Sequence, residues 1–345
     1  VLERKVWIDT GQPLYPNLYV FLIAPSAKGK TRVIDYVTDI YRKVDGGYLA
    51  PTSITRASLI DVLAESKRKL PFKGLGGEYV EYNTLYIAID EFSNLMPEYN
   101  ADIMAALTKF YDNNWFKEAK RAGHIRHDID KPNLSILTGS TPTNLMRVLK
   151  HDVWTQGLTG RVIMLHSNKE TRYNPLSLRV VDKEPGLEHD IQVINSYYGK
   201  MNWTDEYNET QEEWLHCGDG PTHPLLKDYS ARRYSHLYKL SMISSVDRGE
   251  DYTLRIEDFE KAKGWLLEAE KDMQGIFEAG YTTPDRQAID EIVAFLRKEG
   301  PQPWRLVVRK ASYCVQSYAL DKLLNLMIET GEIKDVGGGR WGPST

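Results

Sequence analysis

Residues 21–33 read FLIAPSAKGKTRV, which sets a lysine beside a threonine directly after an apolar run and at the start of a helical one. That spacing suits phosphate binding. In the pattern G-x-x-x-x-G-K-S/T, successive backbone N–H groups face a phosphate, the lysine neutralises its oxygens and the hydroxyl ligates Mg²⁺. Gly29, Lys30 and Thr31 stand where the pattern needs them, and Ala24 takes the place of the first glycine. Alanine there narrows backbone freedom but removes no phosphate donor. The expected nucleotide cradle is Ala24, Pro25, Ser26, Ala27, Lys28, Gly29, Lys30, Thr31 and Arg32, with ATP and Mg²⁺ as its ligands. The alternative is a solvated basic turn after a core strand.

Three further groups carry chemistry. TLYIAIDEFSNL at 84–95 is an apolar strand ending in Asp90 and Glu91, the order of a Walker B arrangement, in which Asp90 is expected to hold the metal and Glu91 to polarise the attacking water; a strand end reaching solvent is the alternative. LSILT at 134–138 runs into GSTPTNL, so Ser140 or Thr141 sits at a strand tip as the polar group called sensor 1 in additional-strand P-loop ATPases. A helix N-cap before Pro142 is the competing role for the same residues. Arg161 in DVWTQGLTGRVIMLHS precedes another buried strand. A cation in that place is costly to bury without an anion, so it is expected at a surface or interface, where it could serve a neighbour's nucleotide in trans; an intrachain salt bridge is the alternative. Arg232 and Arg233, at the head of a long helix, are candidates for a sensor 2 arginine, against a solvated helix face. His216, Cys217 and His223 lack a fourth metal ligand and are taken as a loop.

The elements that must position these groups follow from periodicity. LYVFLIA at 18–24 is suited to a buried strand, and TRVIDYVTDIYRKV at 31–44 has apolar residues at helical spacing. After about residue 186 the pattern turns helical, with amphipathic runs led by Thr204, by the paired arginines and by Ile256. Beyond Pro284, a helix, WRLVVRKAS, YALDKLLNLMIETG and EIKDVGGGRWGP give the order of a winged-helix module, which can bind DNA or protein. The expected division is 1–185 for an α/β P-loop core, 186–281 for a helical lid and 282–345 for the winged helix.

Composition bounds the class. The 345 residues suffice for two or three domains, and a formal net charge of −4 excludes a globally basic nucleic-acid coat. Nucleic-acid contact must then come from local basic loops. ESKRKLPFKGLGG at 65–77 offers Lys67, Arg68, Lys69 and Lys73; FKEAKRAGHIRHDIDKP at 116–132 offers Lys120, Arg121 and Arg126. A solvated surface is the competing reading of both. No apolar run has the length of a membrane span, and two cysteines fit a reducing compartment, so a soluble cytoplasmic chain is expected. The chain opens on Val1, which leads us to expect a segment of a longer protein.

Taken together, the Ala24–Thr31 loop, Asp90-Glu91, LTGSTP, GLTGRV and the RRYSHLYKLSMIS to LRIEDFEKAKGWL stretch resemble the helicase-like ATPase domain of phage and mobile-element primase-helicases. That group is distantly similar to the AAA+ core of MCM replicative helicases. The resemblance implies a ring, usually of six copies, with single-stranded DNA in a central channel, and it implies a primase upstream or as a partner. It makes Arg161 a finger in trans, Arg232 or Arg233 the sensor 2 residue, and the loop before the sensor 1 strand a channel hairpin. The implied activity is ATP-driven DNA translocation or unwinding. An ATP-switched initiator or helicase loader is one alternative, and a DNA-packaging or regulatory ATPase is another.

Overall fold

The computed structural model describes residues 1–73, 79–119, 126–149, 154, 157–168, 186–249, 251–280, 284–314 and 320–343. Its contacts group Val1–Phe277 as one unit and Glu278–Thr345 as another, so the helices that follow residue 186 fold within the first unit up to Phe277. The chain is mixed α/β. Among the described residues no helix is long and apolar enough to cross a membrane.

The first unit is built on a five-stranded sheet. Its parts in chain order are Tyr19–Ile23 (β1), Lys30–Tyr41 (α1), Arg56–Glu65 (α2), Lys67–Lys73 (β2), Tyr79–Ile89 (β3), Ala101–Tyr111 (α3), a side hairpin of Phe116–Ala119 (β4) and Arg126–Ile129 (β5), Pro132–Ser140 (β6), Pro142–Val148 (α4) and Val162–His166 (β7). The strand order is β2-β3-β6-β1-β7, with β3, β6, β1 and β7 parallel and β2 antiparallel at the edge. The parallel strands read as near-continuous apolar runs because helices cover both faces of such a sheet. Phe21, Ile23, Ile87, Leu134, Ile136 and Met164 are all buried in it. Register decides where chemistry can gather. Ile23 lies opposite Ser140 on one side and His166 on the other, and Ile89 lies opposite Thr138. The loops that leave β1, β3, β6 and β7 therefore share one edge of the sheet.

The opposite edge is held by a helix that begins far along the chain, Arg233–Arg248 (α6), packed against Ile256–Lys271 (α7), which also packs on Asp205–His216 (α5). Lys239 on α6 is fully buried; its Nζ donates to both the carbonyl and Oδ1 of Asn17 at 2.9 Å and lies 3.7 Å from the centroid of the Tyr111 ring. Burial holds its ammonium well below the usual lysine range. One turn earlier, His236 Nε2 donates to the Gly160 carbonyl at 3.0 Å, which leaves Nδ1 to accept from the Tyr111 hydroxyl at 3.3 Å. That imidazole is neutral, pushed down to about 3 by burial, with nearby Lys239, Arg232 and Arg161 acting in the same direction.

The second unit has its own core of Ile289, Ile292, Leu296, Val307, Leu323, Met327 and Ile333. Its elements are Pro284–Glu299 (α8), Gln302–Pro303 (β8), Trp304–Cys314 (α9), Leu320–Glu329 (α10) and a hairpin of Ile333–Gly337 (β9) with Arg340–Pro343 (β10). The three strands pair in the order β8-β10-β9. Gly337, Gly338 and Gly339 all have positive φ at the hairpin tip, a conformation in which a side chain would be strained.

His236 makes stability depend on pH in a stated direction. Its folded pKa lies below the ordinary value, so the unfolded chain binds the extra proton, and stability complete above about pH 6.5 is lost as pH falls toward 3. Urea denaturation of the first unit should lose about 2 kcal/mol from this group between pH 7 and pH 5. The variant His236→Gln should lose that part of the slope, whatever its absolute stability; an unchanged slope would contradict the assignment.

Candidate functional site

The loop between β1 and α1 is built by backbone geometry. Ala27 and Gly29 have φ of 62° and 81°, so two left-handed residues fold the chain back before the helix starts at Lys30. Ala24 is not in that region; its φ is negative, it is buried, and its N–H donates to the Ser140 carbonyl at 3.2 Å. This is why alanine serves where the phosphate-loop pattern has glycine. Pro25, Ser26, Ala27, Lys28 and Gly29 are exposed, as are Thr31 and Arg32 on the first turn of α1. Lys30 arches back over the loop, its Nζ donating to the carbonyls of Ala24 at 2.7 Å and Pro25 at 2.9 Å. Partial burial pulls its pKa down, and the charge of Glu91 opposes that.

The carboxylates arrive from β3. Asp90 is exposed just beyond the strand end, where Asn94 Nδ2 donates to its Oδ1 at 3.3 Å. Glu91 is half-buried and accepts a 2.9 Å hydrogen bond on Oε1 from Ser140 Oγ, at the tip of β6. The neighbouring Thr141 is engaged elsewhere, since its Oγ1 accepts from the Asn144 N–H at 3.2 Å and caps α4. Of the two hydroxyls expected here, Ser140 is the one that touches the acid. Among the described residues no group of three or more His, Cys, Asp and Glu side chains could hold a metal. Mg²⁺ at phosphate sites needs no such cage, since one or two carboxylates with a hydroxyl and the phosphate oxygens suffice, and Asp90 and Thr31 are exposed where they could take that part.

Two contributors escaped sequence reasoning. Gly139 lies where β6 passes under the site, and a Cβ there would stand 2.4 Å from the Asp90 carbonyl oxygen and 3.5 Å from Lys30 Cβ. The only sign of it was the glycine within LTGST. His166, at the tip of β7, donates from Nδ1 to the Asp272 carbonyl at 2.9 Å, and with Leu165 and Val33 it lines a cleft of about 200 Å³ beside Lys28, Gly29 and Lys30. A larger cavity of about 390 Å³ lies beside the C-terminal half of α1, between Val37, Tyr41, Leu85 and Val246, away from the loop. Of the two, the smaller one is lined by the loop residues Lys28, Gly29 and Lys30.

The arginines are placed differently from expectation. Arg161 does not face a surface: its side chain is 6% exposed, with Nε and Nη2 on the Asp112 carboxylate and Nη1 on the Gly157 carbonyl. Asp112 caps the end of α3 and supplies the anion that makes this burial tolerable. Arg161 also precedes Val162, which pairs with Tyr19, so it sits at the edge of the sheet remote from the loop. Arg233 is clamped by Glu270 through two 2.8 Å bonds and by Asp219 through a third, over the Trp214 ring. Arg232 is half-buried against Gly160 and has no side-chain hydrogen bond among the described residues. Its place at that same far edge keeps it away from the loop of its own chain.

The basic insertions are only partly outward. On β2, Lys67 and Lys69 are exposed, whereas Arg68 turns inward to Glu3 at 2.7 Å and the Asp45 carbonyl at 3.2 Å. Arg68 is thereby withdrawn from a phosphate-contacting role, because alternate strand residues point to opposite faces. Lys73 ends β2 in register with Tyr79. Arg126 is exposed on the β4/β5 hairpin opposite Ala119, and Lys120 and Arg121 lie outside the described residues. At the base of that hairpin Trp115 is 57% exposed, with the Lys117 ammonium 5.1 Å from its ring centroid. No protein-family model matches the chain, and no curated protein matches it.

The packing around residue 139 separates two positions of the motif region. Gly139→Ala should cost about 1–3 kcal/mol, because backbone rather than a flexible side chain blocks the new methyl. Ala24→Gly, at negative φ, should cost only about 0.5–1 kcal/mol through added freedom of the unfolded chain. Equal urea midpoints for the two variants would contradict the close approach.

Proposed function

We propose that this chain is a P-loop ATPase of the additional-strand type, with AAA+-like organisation and a C-terminal winged helix, related in function to the primase-helicase group it resembles. One observation carries the reading: a loop lysine, a strand-end glutamate and a hydroxyl on the strand inserted between them converge at one sheet edge, with Ser140 on Glu91 and Lys30 within electrostatic reach of Glu91. In that arrangement the loop N–H groups and the start of α1 receive the phosphates, and Lys30 exchanges its loop carbonyls for the β and γ oxygens. Thr31 and Asp90 would hold Mg²⁺, which neutralises phosphate charge when bound. Glu91 orients the attacking water and takes its proton, and Ser140 fixes the carboxylate that does so.

Glu91→Gln should bind ATP as wild type does and lose turnover by about 10²–10⁴-fold, since the amide keeps the shape but takes no proton. Lys30→Ala should abolish turnover. Wild-type hydrolysis by the Gln variant in a phosphate-release assay would remove the Walker B assignment.

For what the ATPase drives, our first reading is a ring-forming DNA helicase or translocase, supported by exposed Lys67, Lys69 and Arg126 on two hairpins of the first unit. The burial of Arg161 against Asp112 favours a second reading, an ATP-dependent initiator or loader that needs no arginine in trans. Arg161→Ala discriminates. As part of an intrachain bridge it should cost about 3 kcal/mol of stability and leave turnover per folded molecule nearly unchanged. As a trans finger, in a ring whose assembly frees it, the change would lower turnover by about 10³-fold or more at unchanged ATP affinity. A forked-duplex unwinding assay then separates helicase from loader.

A further inference from the structure

The ATP reading assigns nothing to the second unit, and the charge of its helices is unevenly placed. Pro301 to Ala319 contains Arg305, Arg309 and Lys310 and no Asp or Glu. On α9, Val307 and Ala311 face the core, while Arg305, Leu306, Arg309, Ser312 and Tyr313 are exposed. Arg305, Arg309 and Tyr313 follow at i, i+4 and i+8, one ridge along the helix spanning about 12 Å. Tyr313 is 74% exposed, more than any other large apolar side chain among the described residues, and Arg309 Nε reaches its hydroxyl at 3.5 Å. Strand pairing places exposed Arg340 near the start of that helix, because on β10 it lies in register with Pro303, immediately before α9. Among the described residues none of Arg305, Arg309 and Arg340 is paired with a carboxylate. The following helix is unlike it: α10 exposes Asp321, Lys322, Asn325, Leu326, Ile328 and Glu329, with two acids against one base.

We propose that the α9 ridge binds single-stranded nucleic acid, with backbone phosphates on Arg305, Arg309 and Arg340 and a base stacked on Tyr313. Two guanidinium groups along one helix ridge, with a third near its start, match a polyanion, and the exposed aromatic ring at the end of the ridge gives an unstacked base a partner. A duplex hides its base faces and gains nothing from the tyrosine. The α10 face, with two acids against one base, has no such complementarity. The proposal goes beyond the ATP site and does not depend on it.

The test uses the full chain and fluorescence anisotropy of a fluorescein-labelled oligothymidylate of about twenty nucleotides, titrated at several salt concentrations. Replacing Arg305 and Arg309 together by Gln should weaken binding and make the slope of log K against log salt shallower by about 1.4. Tyr313→Ala should weaken binding about five- to a hundredfold with the slope unchanged, and Tyr313→Phe should restore it. All these positions are exposed, and wild-type urea midpoints for the variants will show that the loss is not unfolding. Unchanged affinity and slope in the double Gln variant would overturn the proposal. So would unchanged affinity in Tyr313→Ala, or competition by unlabelled duplex or polyglutamate as effective as that by the single strand.

Discussion

At the tip of β6 there is no room for a side chain, and the site depends on that lack of room. A Cβ at residue 139 would meet the Asp90 carbonyl oxygen at 2.4 Å. The approach brings β6 and β3 close enough for Ser140 to hydrogen-bond Glu91, and it lets the stem of Lys30 lie against the same strand. Three residues distant in sequence are thus fixed by main-chain packing rather than by the reach of long side chains, which have more freedom to lose. A site mounted on strand ends inherits the stiffness of the sheet.

The opposite edge of the sheet solves a different problem. Asn17, Arg161, His236 and Lys239 meet there buried, and the partly exposed Asp112 is the carboxylate to which Arg161 is paired. Burial holds the imidazole neutral and disfavours the lysine ammonium, and the charge of nearby Arg161 acts the same way on both. Their remaining polar atoms are met by backbone carbonyls of Gly160 and Asn17 and by the Tyr111 hydroxyl. The helices that follow residue 186 are attached to the sheet through specific hydrogen bonds as well as apolar contact. Apolar contact alone is less selective about how two surfaces align.

What the sequence made legible was local. The first strand, its loop and the helix after it are contiguous, so their order could be read in one window, with the helix starting at Lys30, one residue before the expected 31. The Asp90-Glu91 pair was legible as two acids closing an apolar strand, a pattern that a strand end reaching solvent also gives. Ser140 and Thr141 could not be told apart, since both are hydroxyls at a strand end and the difference lies in which one faces Glu91. Arg161, Arg233 and Arg68 were misjudged as outward for one shared reason: their partners Asp112, Glu270 and Glu3 lie 49, 37 and 65 residues away. An arginine looks like a ligand-binding group until its anion is found, and nothing in a single sequence announces a distant anion.

Lys30 already has partners before any phosphate arrives. Its ammonium is bonded to two carbonyls of its own loop, so an incoming anion competes with an internal occupant, and the free energy of binding is a difference between two sets of charge-assisted contacts. The same bonds keep the loop folded, so on the proposed reading less order would have to be imposed on it when a phosphate binds. Gross attraction is given up in return for a shape that persists between occupants. On the proposed ATPase reading, a loop held this way would favour turnover over tight retention, because a lysine that releases a departing product has a ready place to return to.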